Sequence, residues 1–411
     1  MIAWHIYPLG FAGLPIRPGT ANSGAPPQAG PPGGARPFAH LAGWLDYAAA
    51  LGFEALSLGP VFESQSHGYD TLDHYRIDRR LGDESEFQSF LDQAHARGLR
   101  VYLDGVFNHL GDRHRLHVAA VTPGPEQATA RRFFRWDGKR ARVFEGHGSL
   151  VGLNHEDQAV MGLVQGVMAH WMQQGVDGWR LDAAYATGPE FWAAILPGLR
   201  KRFPEAYFFG ELLHGDGASF VARSAMDSVT QYELWKAIWS SIKDRNFFEL
   251  DWCVERHNDL LATYSPVTFI GNHDVSRIAS RIGQRGAGAA LAILMSLGGT
   301  PHIYYGDEQG FTGKKEARLG GDDSVRPPYP AGPAGLAPWG WWLHNLHRRL
   351  ITWRRANPWL DRATTERLEL TNTRFVYRTA GSGQAVTASL DLTDPANPMA
   401  HLAGPGLDLT L

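Results

Sequence analysis

Residues 176–182 read Val-Asp-Gly-Trp-Arg-Leu-Asp, a short and mainly apolar run that ends in a carboxylate. One amphipathic stretch, Gln158–Gln174, precedes this run, and another, Glu190–Arg202, follows it. Parallel strands need a crossover connection, which is usually a helix. A short apolar run between two helical patterns therefore predicts one strand of a parallel α/β sheet.

The same strand and helix pattern recurs along the chain. The other predicted strands are Ile2–Tyr7, Ala55–Leu58, Leu99–Leu103, Tyr207–Phe209, the weaker Ser228–Gln231, Val267–Ile270 and His302–Tyr305. The other amphipathic stretches are Leu41–Leu51, Glu84–Arg97, Trp235–Arg245, Gly286–Leu297 and Leu343–Arg355. Eight β/α units in roughly 360 residues predict a (β/α)8 TIM barrel. An open doubly wound sheet is the alternative, but no Gly-x-Gly-x-x-Gly pattern follows the first strand.

Three segments depart from this pattern. Residues 10–37 are rich in Pro, Gly and Ala, which predicts a long loop after the first strand. Residues 105–157 are too long for an ordinary connection after the third strand, so they are predicted to form a short excursion domain. After Pro358, runs such as Arg374–Tyr377 and Ala385–Leu390 indicate β-structure. The predicted domains are the barrel (1–104 and 158–357), the excursion domain (105–157) and a small C-terminal β domain (358–411).

Composition narrows the possible partners. The formal net charge of -3 provides no basic surface for nucleic acid and no polybasic membrane patch, so a neutral small molecule is the expected partner. No apolar run approaches the length of a membrane span. The single cysteine, Cys253, cannot form an intramolecular disulfide, and residues 1–7 do not resemble a signal peptide. A cytoplasmic protein is therefore expected, and its oligomeric state stays open.

Four predicted strands are followed by acidic side chains: Asp104, Asp182, Glu211 and Asp274. A single carboxylate at a strand end is well explained as a helix N-cap. Four carboxylates at one rim of a barrel are different, because clustered anions repel one another and need a reason to be kept. Barrel enzymes place their catalytic groups at this rim.

Two of these carboxylates match the needs of glycoside hydrolysis, in which one carboxyl group attacks the sugar and another transfers a proton. Arg180 alternates with Asp182 along the strand, so both side chains point to the same face. We expect Arg180 to hold Asp182 ionised, as a nucleophile requires. Glu211 follows two phenylalanines and is the better candidate for the acid/base.

Four segments at these strand ends resemble the ordered sequence regions of the α-amylase family of glycoside hydrolases (glycoside hydrolase family 13), and in particular its neopullulanase- and α-glucosidase-like members. They are Asp104–His109, Gly178–Asp182, Gly210–His214 and Phe269–Asp274. Shorter matches lie at 52–54, 59–61, 67–70, 152–154, 299–301 and 305–308. The matches follow the family's order from about residue 52 to residue 308.

The resemblance implies a retaining mechanism with Asp182 as nucleophile, Glu211 as acid/base and Asp274 as the third carboxylate, which holds sugar hydroxyls. It implies that His109 and His273 bond the reacting sugar and that Tyr69 stacks beneath it. Asp104 and His214 are left open between sugar contact and structural support, and Arg180 belongs to the same group of predicted substrate-binding residues. Asp322 and Arg326 resemble a loop that contacts glucose on the non-reducing-end side in neopullulanase-like members.

One departure concerns metal binding. Many calcium-dependent members carry Lys-His shortly after the nucleophile, where this chain has Tyr185 and Ala186. Asn108 matches another calcium position, but asparagine is also a common turn residue. No cofactor is therefore expected, and a calcium site is possible but not favoured.

The leading hypothesis is a glycosidase that hydrolyses α-1,4-linked glucans or maltooligosaccharides. The alternative is a transglycosylase, glucanotransferase or sugar isomerase that acts on α-glucosides such as sucrose or trehalose. A non-catalytic barrel predicts the loss of a carboxylate, and Asp182, Glu211 and Asp274 are all present. A metal-dependent barrel hydrolase predicts paired histidines on one strand, whereas the first strand has only His5.

Overall fold

A computed structural model describes residues 1–17 and 34–411, so residues 18–33 of the predicted loop 10–37 lie outside the described part. Within the described residues, eight parallel strands form one sheet. They are β1 (Ala3–Ile6), β2 (Ala55–Leu58), β3 (Arg100–Gly105), β4 (Gly178–Leu181), β5 (Tyr207–Gly210), β6 (Ser228–Val229), β7 (Val267–Thr268) and β8 (Thr300–Tyr304). Their order is β6-β5-β4-β3-β2-β1-β8-β7, and a parallel bridge from Thr230 to Val267 joins the two ends. The predicted (β/α)8 barrel is confirmed.

Helices surround this barrel. The longer ones are Glu84–His95, Gln158–Gln173, Pro189–Arg202, Gly217–Ser224, Tyr232–Asp244, Phe248–Thr263, Ile278–Ser296 and Trp341–Arg355. Shorter helices are Pro8–Phe11, Pro37–Ala42, Leu45–Leu51, Arg115–Val121, Gln127–Arg131 and Ala184–Thr187. Every predicted amphipathic stretch overlaps a helix. Gly217–Ser224 and Phe248–Thr263 were not predicted. No helix in the described part of the chain is long and apolar enough to cross a membrane.

Local sequence explains where the helices begin. Asp83 accepts a hydrogen bond from the backbone N–H of Glu86, and the Glu86 carboxylate accepts one from the N–H of Asp83. This capping box satisfies two N–H groups that have no partner inside the helix. The Asp157 side chain caps Gln158–Gln173 in a similar way, by accepting from Ala159 N–H.

The connection after β3, residues 105–157, contains paired short strands and two short helices. His109–Gly111 pairs with Leu150–Gly152, and Trp136–Asp137 pairs with Arg140–Ala141, both antiparallel. The first of these pairs lies next to the carboxyl end of β3. The excursion segment, as we call residues 105–157, is therefore attached at the rim where the acidic strand ends lie. The predicted boundaries of this and the other domains stay predictions.

An antiparallel sheet follows the last barrel helix. Its strands are β9 (Thr364–Leu370), β10 (Arg374–Gly381), β11 (Gln384–Asp391), β12 (Met399–Gly404) and β13 (Leu407–Thr410), in sequential order. The sheet packs on the barrel helices, and the buried hydroxyls of Ser296 and Tyr377 lie 2.7 Å apart across this contact. The predicted C-terminal β-structure is confirmed.

The barrel interior is layered. Ala3, Ala55, Tyr102, Phe209 and Val267 form an apolar cluster across its strands. A further internal group is polar. Its side chains line a cavity of about 20 Å³ and include His5, Ser57, Arg180, His273 and His302. That volume holds about one water molecule. The barrel interior therefore contains polar side chains as well as an apolar cluster.

Many histidines are buried in the neutral state. Burial is the main cause that lowers their pKa: to about 4 for His74, His109, His155, His257 and His347, and to about 3 for His114 and His302. Between the ordinary value of 6.5 and these values, the unfolded chain binds more protons than the folded chain. The folded state therefore loses stability as the pH falls through this window.

We predict that the free energy of unfolding, measured by urea titration, falls steeply from pH 7 to pH 5. Each histidine contributes up to about 1.4 kcal/mol per pH unit. His257→Gln should reduce the slope of this pH dependence, because it removes one of the titrating histidines. The glutamine amide can still donate to the Gly298 carbonyl that His257 contacts, so the hydrogen bond is kept. The control is Asn258→Ala on the same helix, which removes a hydrogen bond to Thr365 but no titratable group and should leave the slope unchanged. A stability that does not change between pH 7 and pH 5 would contradict this account.

Candidate active site

The predicted carboxylates converge on one cavity at the carboxyl ends of the strands. Asp182, Glu211 and Asp274 line this cavity, whose volume is about 340 Å³. Asp182 directly follows β4 and Glu211 directly follows β5, and these two strands are neighbours in the barrel. We call this space the catalytic cavity. Its size is within the range of small-molecule sites.

One guanidinium group organises the acidic side chains. Arg180 Nη1 lies 2.7 Å from both carboxylate oxygens of Asp104 and 3.1 Å from Asp182 Oδ1. Arg180 Nη2 lies 2.8 Å from Glu211 Oε1. All four side chains are buried. One cation therefore neutralises three carboxyl groups only in part, and the cluster keeps an excess of negative charge when all are ionised.

This sharing changes the expected protonation of Asp182. Burial raises the pKa of Asp182 well above its usual range, the Glu211 carboxylate raises it further, and Arg180 opposes both effects. Burial also raises the pKa of Asp104 to about 6, although Arg180 lowers it. The expectation that Arg180 would by itself hold Asp182 ionised was therefore incomplete, because Arg180 serves three carboxylates. Asp182 and Asp104 therefore bind a proton more tightly than separate, exposed aspartates would.

The hydrogen bonds to Glu211 distinguish its two oxygens. Oε1 accepts from Arg180 Nη2 and, at 3.1 Å, from the hydroxyl of Tyr232. Among the residues that the structure describes, Oε2 accepts only the backbone N–H of Ala183, at 3.0 Å. A carboxylate oxygen has about two acceptor sites. Two donors fill those of Oε1, so Oε2 is the oxygen that can carry a transferable proton.

Ala183 connects the two carboxyl groups through a strained backbone. It follows Asp182 directly and has a φ of 45°, in the left-handed region. This conformation costs a residue with a Cβ atom roughly 1–2 kcal/mol. It accompanies the bond from the Ala183 N–H to Glu211, and strain of this kind clusters at functional sites.

A second group surrounds Asp274. His273 Nε2 lies 3.0 Å from Asp274 Oδ2 and also contacts the hydroxyl of Tyr69, whose ring stacks on the imidazole. Tyr69 donates to Asp104 Oδ2 at 2.9 Å, which links this group to the Arg180 cluster. Burial lowers the pKa of His273 well below its ordinary value, so the ring is neutral.

Seven of the eight predicted substrate-binding residues fall into three sets. Tyr69 and His109 line the catalytic cavity. Asp104, Arg180, His273 and Arg326 are buried behind its wall. His214 is exposed and lines a neighbouring cavity instead.

The burial of Asp104 and Arg326 bears on the roles that were predicted for them. Asp104 has no exposed surface and bonds Arg180 and Tyr69, so of its two possible roles the structure favours support. Arg326 is only 2% exposed, and its Nη2 lies 3.1 Å from Asp274 Oδ1 and 3.3 Å from Asp322 Oδ2. It therefore positions Asp274, and the more exposed Asp322 lies beside it.

Several cavity residues were not predicted. Tyr232 begins the helix after β6, accepts from Asn272 Nδ2 at 2.9 Å and donates to Glu211. Lys315 lines the cavity and lies 3.4 Å from Asp322. Tyr185 lines it too and donates to Glu145 of the excursion segment at 2.8 Å. The sixth strand has only a weak sequence pattern, so its end could not be located from the sequence. Tyr232 was therefore not identified as a residue near a strand end.

Asn108 and Ala186, at the positions compared with calcium sites, both contact neighbouring protein groups. The Asn108 amide lies 3.1 Å from His109 Nδ1, and Ala186 donates its N–H to the Ala183 carbonyl. Across residues 1–17 and 34–411, no group of three or more His, Cys, Asp or Glu side chains is arranged to hold a metal ion.

Comparisons with known proteins identify the family to which the barrel belongs. The sequence model "Alpha amylase, catalytic domain" matches residues 40–327. Neopullulanase 2 of Thermoactinomyces vulgaris is 32% identical over 285 residues, which cover 66% of this chain and 48% of that protein. A 4-alpha-glucanotransferase of Thermotoga neapolitana is 29% identical over 414 residues, covering 87% of this chain and 91% of the transferase. The chain thus spans about half the length of the neopullulanase and nearly all of the transferase.

A solved structure supports the fold over the whole chain. The cyclic alpha-maltosyl-(1-->6)-maltose hydrolase of Arthrobacter globiformis, in complex with that saccharide, matches with a TM-score of 0.82. The match covers 100% of this chain and 97% of the hydrolase, at 24% sequence identity. At this identity the likeness establishes the fold alone.

We predict that Tyr232→Phe lowers kcat/KM for a maltooligosaccharide by about tenfold, because the loss of one hydrogen bond of about 1.4 kcal/mol corresponds to that factor. The loss should be smaller on α-maltosyl fluoride, whose leaving group needs no proton from Glu211. The control is Tyr185→Phe, the same change in the same cavity, which removes a hydroxyl that contacts Glu145. It should leave the ratio of the two kcat/KM values as in the wild type. An equal loss on both substrates in Tyr232→Phe would show that Tyr232 does not position Glu211.

Proposed function

The chain belongs to the α-amylase family of glycoside hydrolases, and we propose that it is a retaining glycosidase that hydrolyses α-1,4-linked glucans and maltooligosaccharides. The observation that carries this proposal is the attachment of Asp182 and Glu211 to one guanidinium group at the edge of a single cavity. Retaining enzymes hold their two carboxyl groups about 5–5.5 Å apart, whereas inverting enzymes separate them by about 6.5–9.5 Å. Two carboxylates on one arginine favour the shorter separation.

In the first half-reaction, Asp182 attacks the anomeric carbon and forms a bond to it while the glycosidic bond breaks. Glu211 gives the proton on Oε2 to the departing oxygen. The negative charge of Asp182 is used up as the covalent bond forms, and Glu211 becomes a carboxylate. Arg180 contacts both groups, so it stabilises Glu211 as its charge appears.

In the second half-reaction, the ionised Glu211 removes a proton from water, and the water oxygen attacks the same carbon. Asp182 leaves as a carboxylate next to Arg180. Tyr232 and the Ala183 N–H keep Glu211 in one orientation through both steps. Two inversions at one carbon retain its configuration.

The remaining residues of the cavity are suited to a neutral sugar. Asp274, which is 32% exposed, offers acceptors for sugar hydroxyls, and His273 and Arg326 fix its position. Tyr69 and His109 provide aromatic faces and polar atoms on the same wall, and His109 stacks on Phe144 of the excursion segment. This combination fits a glucosyl ring better than an ionic ligand.

A glucanotransferase is the second candidate, because the match to the Thermotoga neapolitana enzyme extends over most of both chains. Both reactions share the first half-reaction. They differ in whether water or a sugar hydroxyl attacks the intermediate. The lengths of the products separate them, since transfer yields saccharides longer than the substrate.

The proposed chemistry needs no metal or cofactor, because two carboxyl groups supply the nucleophile and the proton. The proposed location is the cytoplasm. The single cysteine, Cys253, is buried and free, so the fold needs no oxidising compartment. Detection of the native protein only outside the cell would exclude this location.

We predict that Asp182→Asn lowers kcat on maltooligosaccharides by at least about a thousandfold, because no nucleophile remains. Glu211→Gln should also be nearly inactive on maltooligosaccharides. With α-maltosyl fluoride it should still release about one equivalent of fluoride in a burst, because that leaving group needs no proton, and then turn over slowly, because the water of the second half-reaction has lost its base. Products of the wild-type enzyme from maltooligosaccharides, sucrose and trehalose would be resolved by chromatography. Shorter saccharides alone support hydrolysis, and longer ones support transfer. Full activity of Asp182→Asn would overturn the mechanism.

We predict that EDTA leaves kcat/KM for maltooligosaccharides unchanged. The measurement compares initial rates after dialysis against the chelator with rates after calcium is added back. Activity lost on dialysis and restored by calcium would show that the excursion segment or the barrel rim holds an essential ion.

A further inference from the structure

We propose that one water molecule inside the barrel, held by His5 and His302, donates a hydrogen bond to His273 Nδ1. This bond keeps the imidazole of His273 in the tautomer that donates to the third carboxylate, Asp274. His5 and His302 are then positioning residues that act on the site from beneath it. The consequence for catalysis rests on the proposed glycosidase function, whereas the water itself does not.

The internal cavity of about 20 Å³ in the barrel is the place for this water. The rings of His5, His273 and His302 line it, together with Arg180 and Ser57. The three imidazoles are at least nine-tenths buried, since His5, the least covered of them, is 7% exposed. A space of this size holds one water molecule, and a buried water typically makes about three hydrogen bonds.

Each of the three rings has a nitrogen that needs a partner. His5 Nε2, His302 Nε2 and His273 Nδ1 are buried and have no hydrogen-bond partner among the described residues. Leaving a buried polar group unpaired costs stability, and such groups in native proteins are nearly always paired with protein atoms or ordered water. A water molecule has two donors and two acceptor sites, so one molecule shared by the three rings can pair all of these nitrogens.

The tautomer of His273 follows from the contacts on the other side of its ring. Its Nε2 lies 3.0 Å from Asp274 Oδ2 and also contacts the hydroxyl of Tyr69. That hydroxyl donates its own proton to Asp104 Oδ2, so its oxygen, like that of the Asp274 carboxylate, accepts from the ring. Nε2 therefore carries the proton. Because burial keeps the ring neutral, Nδ1 carries a lone pair.

The lone pair on His273 Nδ1 requires a donor from the interior of the barrel. Arg180 also lines the cavity, but its Nη1 and Nη2 contact the carboxylates above it. A water molecule can donate to Nδ1 without adding a charge. The hydrogen bond at one imidazole nitrogen determines which nitrogen is protonated. Without this bond, the proton could move to Nδ1, and a lone pair on Nε2 would then face the Asp274 carboxylate and repel it.

His5 and His302 are suited to hold a water molecule beneath a buried cation. His5 lies on β1 and His302 on the neighbouring β8. Burial lowers the pKa of His302 to about 3, and burial, His273 and Arg180 lower the pKa of His5 well below its ordinary value. Both rings are therefore neutral and do not repel the guanidinium. A neutral imidazole offers one donor and one acceptor, so the two rings can orient a water molecule between them.

A crystal structure of the wild-type protein tests the water directly. Electron density for one water molecule should lie within about 3.2 Å of His273 Nδ1. The same density should be absent from His5→Leu, in which an apolar side chain replaces one of the polar partners. A wild-type cavity without this density, or a variant that keeps it unchanged, would overturn the inference.

NMR spectra of the protein labelled with ¹⁵N-histidine test the tautomer. The wild type should show His273 with a protonated Nε2 and an unprotonated Nδ1, and the signals are assigned by their loss in His273→Gln. His5→Leu should show a mixture of the two tautomers. A proton on Nδ1 in the wild type, or a single unchanged tautomer in His5→Leu, would contradict the proposed role of the water.

Kinetic measurements test the consequence for catalysis. His5→Leu should lower kcat/KM by about tenfold, which corresponds to about 1.4 kcal/mol. The loss should be equal for maltoheptaose and α-maltosyl fluoride, because Asp274 is proposed to hold the glucosyl unit that both substrates share. His5→Gln should recover most of the activity, since its amide can donate and accept. A lower melting temperature with unchanged kcat/KM in His5→Leu would show that His5 serves packing alone.

The control is His347→Leu, on the helix Trp341–Arg355. His347 is also buried and also has an Nε2 without a partner in the described part of the chain, but it lies outside the internal cavity. His347→Leu should lower the melting temperature and leave kcat/KM as in the wild type. An equal loss of kcat/KM in His347→Leu and His5→Leu would make the effect a general one of buried histidines and would overturn the proposal.

A double variant tests whether the two histidines act through one water molecule. His302→Leu should lower kcat/KM about tenfold, and His5→Leu combined with His302→Leu should lower it by about the same factor. Independent effects would instead multiply to about a hundredfold, and that result would overturn the shared water. A wild-type enzyme that cleaves neither substrate would overturn the proposed function, whereas the electron density and the tautomer would still decide the inference.

Discussion

A buried arginine, Arg180, is the constraint on which the site depends. A cation removed from water is very costly unless anions and hydrogen-bond acceptors surround it. Here the anions come from the ends of three adjacent strands, as Asp104, Asp182 and Glu211. When β3, β4 and β5 pair side by side, they also bring the three carboxylates around Arg180. Loss of any one carboxylate would remove a hydrogen-bond acceptor from the buried guanidinium, so folding and chemistry share the same contacts.

Because Arg180 is shared by three carboxyl groups, these groups can take different roles. An arginine with one partner would ionise that partner fully, whereas an arginine with three leaves the cluster able to hold a proton. The bonds to Glu211 then indicate where this proton can reside, because Tyr232 and Arg180 occupy one oxygen and the Ala183 N–H bonds the other. The strained backbone of Ala183 aims this N–H at the acid/base from the residue beside the nucleophile. The relative orientation of the two reacting groups is thereby determined by a single peptide.

The walls around this cluster are formed by residues that lie outside the barrel strands. Tyr185 and Glu145 close one part of the catalytic cavity through a contact with the excursion segment, and Leu213 and Tyr232 also line a neighbouring cavity. Loops at the carboxyl end of a barrel can vary while the strand ends keep their chemistry. We therefore expect the selection of substrate to depend on these walls.

The sequence by itself determined the barrel and its acidic rim. Strands such as 178–181 and helices such as 158–173 follow from local hydrophobic periodicity, and strand-end acids such as Asp182 are recognised from the residues next to them. The helix 248–263 was not predicted, because it is a second helix in one connection between strands and so departs from the regular β/α alternation. Only the tertiary structure showed that Tyr232 bonds Glu211 and that Arg326 is buried behind Asp274. These contacts join residues 21 and 52 positions apart. A local pattern cannot encode such pairs, because the curvature of the closed barrel decides which side chains meet.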